Sequence, residues 1–179
     1  MDFNDFTALT KNRRSCRNFN DKPLDKETVY KLAELARFAP SACNSQPWKM
    51  YCVTEENRVA AVRKALTEGG MNAFLSGAKA FIAVAETGCC ALKENVKKRF
   101  STDRFVKYDV GEAVAYITLA AKSAGLESCI IGWINEPELR AAIEMPDGEK
   151  CVIVVALGYS DAAVPQKVRK PENETVVKM

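Results

Sequence analysis

Two groups of cationic side chains stand near opposite ends of the chain: Arg13, Arg14 and Arg17 early, Lys167, Arg169 and Lys170 late. Guanidinium groups grip phosphate through paired N–H donors in a plane, and an ammonium adds a point charge. Ser15 offers a hydroxyl for the same oxygens. On charge alone, two scattered surface patches remain the better description. A second segment with chemical character runs from Ala39 to Trp48, where Ser41, Asn44, Ser45 and Gln46 lie between Pro40 and Pro47. A rigid loop of neutral donors and acceptors suits a flat heteroaromatic ligand with imide and carbonyl groups. A tight turn satisfying its own backbone fits equally well.

Composition removes many other chemistries. There is no histidine among the 179 residues, so triads, cysteine–histidine pairs and imidazole-bound metals are excluded. The seven cysteines include no C-x-x-C pair, and no metal site is expected. Cys52 and Cys151 read as packed thiols, and Cys43 or Cys129 as an alternative thiol redox centre. A reducing compartment suits both readings. Net charge is +3 from 26 basic and 23 acidic residues, too mild to argue for a nucleic-acid partner. The longest apolar run, Cys151 to Leu157, is far too short to span a membrane. With no basic, apolar leader at the start, the expectation is a soluble, cytoplasmic protein. Glycine-rich dinucleotide or P-loop signatures are absent from the sequence.

Elements that could position these groups follow from periodicity. Residues 3–11 predict a short helix. Asp25 caps a second whose stripe is Val29, Leu32, Ala33 and Ala36, ended by Pro40. Trp48–Thr54 predicts a strand, Thr54–Glu68 a helix stopped by Gly69-Gly70, and Ala80–Ala85 a buried strand. Residues 86–107 stay undecided between a flap and a solvated basic helix. Asp109–Ala124 is apolar around nearly its whole circumference, which calls for burial on every side, one of them by a second subunit. Ser128–Ile131 predicts a strand or extended loop, and Asn135-Glu136-Pro137-Glu138 a helix start. Cys151–Leu157 predicts a central strand. The tail over 160–179 lacks a core and is expected to lie on a partner or fray. The fold class is α+β, in a single domain over 1–179.

Taken in order, these pieces resemble the nitroreductase family of FMN-dependent oxidoreductases over nearly the whole chain. The resemblance rests on Arg13-Arg14-Ser15-x-Arg17, then Ala39-Pro40-Ser41-x-x-Asn44-x-Gln46-Pro47-Trp48, then Asn72 within Met71-Asn72-Ala73-Phe74. It continues through Asp109-Val110-Gly111, Gly125-Leu126, Ile131-Gly132-Trp133 and Lys167-x-Arg169. The resemblance implies a central mixed or antiparallel sheet flanked by helices, in an intertwined homodimer with two interfacial FMN sites. Arg13, Ser15, Lys167 and Arg169 would hold the phosphate, with Arg14 at the same end. Arg17 would lie near flavin N1 and O2, where a cation favours the anionic reduced form. Asn72 would bond the pyrimidine edge, and the backbone N–H groups of Ile131 and Gly132 would approach N5 and O4. Pro40, Ser41 and Ala42 would come from the other subunit, with Asn44 supporting that loop.

The activity implied is ping-pong transfer: hydride from NADH or NADPH to FMN, then reduction of a nitroaromatic, quinone or similar small acceptor. No side chain need act as acid or base, since flavin N5 carries the chemistry. Alternatives are reductive dehalogenation, breakdown of the flavin itself, or a flavin-binding sensor or storage protein without turnover.

Overall fold

Four antiparallel strands form one sheet in the order β1-β2-β4-β3, and helices cover both of its faces. The structure is a computed structural model that describes residues 2–87, 92–100 and 102–179. Cys89 and Cys90 lie outside the described residues. Along the chain run α1 (Phe3–Asn12), α2 (Lys26–Ala36), β1 (Trp48–Val53), α3 (Glu56–Thr67) and β2 (Ala80–Glu86). Then come α4 (Glu94–Arg99), α5 (Thr102–Ser123), β3 (Glu127–Ile131), α6 (Glu136–Ile143) and β4 (Lys150–Gly158).

Local chemistry sets the helix starts. The Asp25 carboxylate accepts from the Glu27 and Thr28 amides at the head of α2. Asn135 accepts from the Glu138 amide at the head of α6, with Pro137 in the first turn. Asp2 and Asp5 exchange side-chain and backbone bonds at the head of α1. Gly125, at φ +76°, lets the chain turn after α5.

Strand alternation builds two cores. Phe81, Ala83 and Ala85 of β2, with Val154 and Ala156 of β4, face α3 and α6. Ala80, Ile82 and Val84, with Val155 and Leu157, face α2 and α5. The ladder slips between Val84 and Ala85, leaving Val152 as the extra residue of a bulge. Both β2 and β4 are interior strands, matching the expectation of a central Cys151–Leu157 run.

Helix α5 starts earlier than the sequence reading has it. It begins at Thr102, seven residues before Asp109, and its 22 residues extend about 33 Å. The early part of α5, together with α4, accounts for much of the undecided 86–107 segment. Within this one chain α5 is covered on one face and open on another. Val110, Ala113, Val114, Ile117 and Ala121 are buried, while Tyr108 and Tyr116 are exposed. The outward face joins α1 and α2 in an apolar groove of about 450 Å³ lined by Phe6, Leu9, Leu35, Phe38, Tyr116 and Leu119. The exposed surface is 10855 Å², against about 8,600 Å² for a compact monomer of 19.8 kDa. Among the described residues no helix is long and apolar enough to cross a membrane.

Between α1 and α2 a strap, residues 13–20, crosses from the outer edge of β3 to the end of β4. The Cys16 amide donates to the Ser128 carbonyl at 2.8 Å, and the Asn20 amide to the Tyr159 carbonyl at 2.8 Å. Phe19 fills the space between. A Cβ at Gly77 would sit 2.4 Å from the Phe19 carbonyl oxygen, and one at Gly158 would meet the Phe19 ring at 2.9 Å. Only glycine admits the strap here.

Candidate functional site

The strap carries the early cations, and the tail returns the late ones to meet them. Burial and the charges of Arg13, Arg169 and Lys122 hold the Lys167 ammonium below its ordinary pKa. Residues 150 positions apart in sequence thus share one cationic region. The Lys167 ammonium is placed by the Thr10 carbonyl at 3.0 Å, at the C-terminal end of α1, where the helix dipole favours a cation. A cleft of about 530 Å³ runs beside it, lined by Thr10, Asn12, Gln166, Lys167 and Arg169 among others. None of the ion pairs found among the described residues includes Arg13, Arg17, Lys167 or Arg169. Cations gathered without carboxylates form a site chemically suited to a dianion. Ser15 is exposed beside them, bridged to Ser128 on β3.

Arg14 behaves differently from its neighbours. Its Nε lies 3.3 Å from Glu127, its remaining nitrogens donate to Ala163 O at 2.6 Å, Ala162 O at 2.8 Å and Ser160 Oγ at 3.4 Å. Its donors are engaged by the protein itself, so the structure does not bring it to the cluster as an open phosphate ligand.

Arg17 is exposed and stacks over the Phe74 ring, 5.8 Å from its centroid. Phe74 sits two residues after Asn72, which links the strap to the loop after α3. Asn72 itself adopts a left-handed backbone at φ +51°, a conformation asparagine tolerates better than most residues. Its Nδ2 donates to Leu66 O at 2.9 Å and Trp133 O at 3.5 Å. With its amide hydrogens so used, Oδ1 is the atom left to accept from a ligand N–H. The Trp133 bond also ties Asn72 to the end of β3.

At that end the two expected backbone donors separate. Ser128 turns its carbonyl outward to Cys16. Successive residues of a strand alternate, so Ile131 faces β4, opposite Val154. Gly132, past the strand, is exposed, and a Cβ built there would meet nothing within 4 Å. Gly132 is therefore the donor open to a close-approaching ring.

The Pro40–Asn44 loop is organised differently. Cys43, Asn44 and Gln46 all have left-handed φ, at 54°, 53° and 46°. The Gln46 amide donates to Ser41 Oγ at 3.0 Å and Gln46 Nε2 to Asn44 Oδ1 at 3.1 Å. Buried Asp109 of α5 accepts from the Ala42 amide at 3.1 Å and Ser45 Oγ at 3.4 Å. Among the described residues no hydrogen bond or ion pair joins residues 40–46 to the cationic cluster or to Asn72. Within one chain no such bond links the two halves of the expected site.

Burial disfavours the thiolate at three of the cysteines, while Cys43 is exposed. Burial pushes the Cys52 thiol up to about 11 and the Cys151 thiol up to about 12. Burial also raises Cys129, although Arg17 and Arg13 pull the other way.

Sequence reasoning overlooked Phe74, Asp109 and the Phe19 wedge as supports. Asp109 was visible as a lone acid opening an apolar helical stretch; nothing local marked Gly77 as the place where another segment passes.

An antiparallel sheet sandwiched by helices, with cations collected from both chain ends, defines an α+β domain with an anion-binding region. Residues 10–159 match the family model described as "Nitroreductase family", and the chain belongs to that family. It is 27% identical to the nitrobenzene nitroreductase of Ectopseudomonas oleovorans, over 88% of each chain. It is 25% identical to the oxygen-insensitive NADPH nitroreductase of Helicobacter acinonychis, over 94% of this chain and 93% of that one. The nitroreductase family protein of Streptococcus pneumoniae TIGR4 shares the fold at a TM-score of 0.80 and 25% identity, covering 97% of this chain and 100% of that chain. The chain is thus an enzyme of an oxidoreductase family.

Proposed function

We propose that the protein is an FMN-dependent oxidoreductase that takes reducing equivalents from NADH or NADPH and delivers them to a small acceptor, a nitroaromatic or quinone, by a ping-pong mechanism. The observation that carries this reading is the convergence of Arg13, Lys167 and Arg169 without carboxylate partners among the described residues. FMN fits this donor set. Its phosphate needs clustered cations, its ring N–H needs an acceptor such as Asn72 Oδ1, and its reactive edge needs an open amide such as that of Gly132. FMN, when bound, supplies two-electron transfer between nicotinamide and acceptor.

The chain's own residues bind and orient. Arg13, Ser15, Lys167 and Arg169 neutralise the phosphate, while Phe74 fixes the Arg17 guanidinium beside the ring. A cation there stabilises negative charge that develops on the cofactor. No side chain in the cluster need carry a proton for the reaction.

The reading includes a homodimer. The surplus of about 2,200 Å² over a compact monomer is the scale of an obligate interface. The apolar groove on α1, α2 and α5 and the tail with exposed Val168 and Val177 supply that surface. Docking a second copy would let its Pro40–Asn44 loop complete the site that one chain leaves open.

The test is the absorption spectrum of purified protein, followed by anaerobic titration with each nicotinamide. Yellow, dimeric protein that bleaches is expected. Monomeric protein that ignores added FMN would sink the reading, and yellow protein that does not bleach would point to a binding module.

A further inference from the structure

Glu127 begins β3 at 7% exposure, and its two oxygens hold different cations, Arg14 Nε at 3.3 Å and Lys122 Nζ at 2.5 Å. Burying a carboxylate is unfavourable unless such partners surround it. The ammonium of Lys122 is also one of the charges felt by Lys167. Arg14, fixed on one side by Glu127, uses its outer nitrogens on Ser160, Ala162 and Ala163. From Ser160 to Pro171 the backbone forms neither helix nor strand, so nothing periodic dictates its path. Among the described residues the other side-chain hydrogen bonds from this stretch to the body are Asn20 to Asp161 at 2.7 Å and Lys167 to Thr10. The route of the chain from β4 to Lys167 and Arg169 is therefore set chiefly by one guanidinium, and that guanidinium is set by one carboxylate.

We propose that Glu127 is a positioning residue for the phosphate clamp: by orienting Arg14 it fixes where the tail leaves the sheet and so where Lys167 and Arg169 stand. This rests on the FMN reading above for its ligand, but the strut itself does not. Charge and position make opposite demands, which separates them. Removing a carboxylate makes the cluster more positive, so an electrostatic role alone predicts tighter phosphate binding. A positioning role predicts weaker binding, because the late cations lose their register with Arg13.

Glu127→Gln and Arg14→Lys are the variants to compare. The second keeps both charges, but one ammonium cannot span Glu127 and two carbonyls as the fork does. It carries the test if the first fails to fold. In FMN-free protein, under conditions where both variants are fully folded, trypsin should cut between residues 167 and 170 about tenfold faster in both variants, as expected when a charged hydrogen-bond clip is lost. FMN dissociation constants, followed by flavin fluorescence, should rise about tenfold in both. Tail cleavage at the original rate in folded variants overturns the proposal, as does tighter FMN binding by Glu127→Gln. Faster cleavage in a protein that never binds FMN supports the strut and overturns the cofactor reading instead.

Discussion

The strap-and-tail region and the Pro40–Asn44 loop are both polar, irregular and fixed by buried anchors, yet they are used in opposite ways. On the strap, Phe19 and Arg14 take the structural duty, which leaves Arg13, Arg17, Lys167 and Arg169 with no carboxylate partner among the described residues. In the loop, Ser41 Oγ accepts from the Gln46 backbone amide, Gln46 Nε2 donates to Asn44 Oδ1, and Asp109 accepts from the Ala42 amide below. Open cations can grip a charged ligand; a loop bonded within itself offers shape, backbone and neutral polar groups. In the proposed homodimer the two would come from different chains, each ordered before they meet.

The sharpest way to break this contrast is at the strap's seat. Gly77→Ala should drive a methyl into the Phe19 carbonyl and cost about 3 kcal/mol in urea unfolding, at the upper end for overpacking. FMN binding should fall with it. Arg13→Ala should leave the melting temperature nearly unchanged and weaken FMN binding roughly 100-fold, as loss of a charge-assisted phosphate contact does. Asp109→Ala should reverse the pattern, with about 2 kcal/mol lost in stability and the loop freed. A smaller effect concerns pH. Since Lys167 is held below its ordinary pKa, FMN-free protein should gain stability as alkaline pH strips that proton. FMN affinity should fall over the same range, by about tenfold, and Lys167→Arg should abolish that limb. Last, Gln46→Gly should relieve a left-handed backbone and add about 0.5 kcal/mol, less the loss of its amide bond to Asn44.

Much of this was legible in the residues. Caps at Asp25 and Asn135, the stripe on α2 and the dense apolar runs of β2 and β4 placed most elements within a residue or two. The start of α5 was not read, although buried Val106 extends the Val110, Ala113 and Val114 stripe by one turn. The basic residues before it suit a flap or a solvated helix equally well. The cationic candidates were legible as types, but their convergence depends on the tail's path, which no local pattern encodes. Arg14 looked equivalent to Arg13 because only the fold reveals that Glu127 waits beside it. The left-handed run at Cys43, Asn44 and Gln46 was equally hidden, since two of those residue types carry no preference for it.

The strap leans on Ser128, Gly158 and Tyr159, all synthesised more than a hundred residues after it. On the ribosome, α1 and the strap must therefore wait undocked while the sheet assembles, and such long-range closure is slow. The strap is made before the strands it docks on, so a nascent chain cannot bring Arg13 together with Arg169 until Arg169 has emerged.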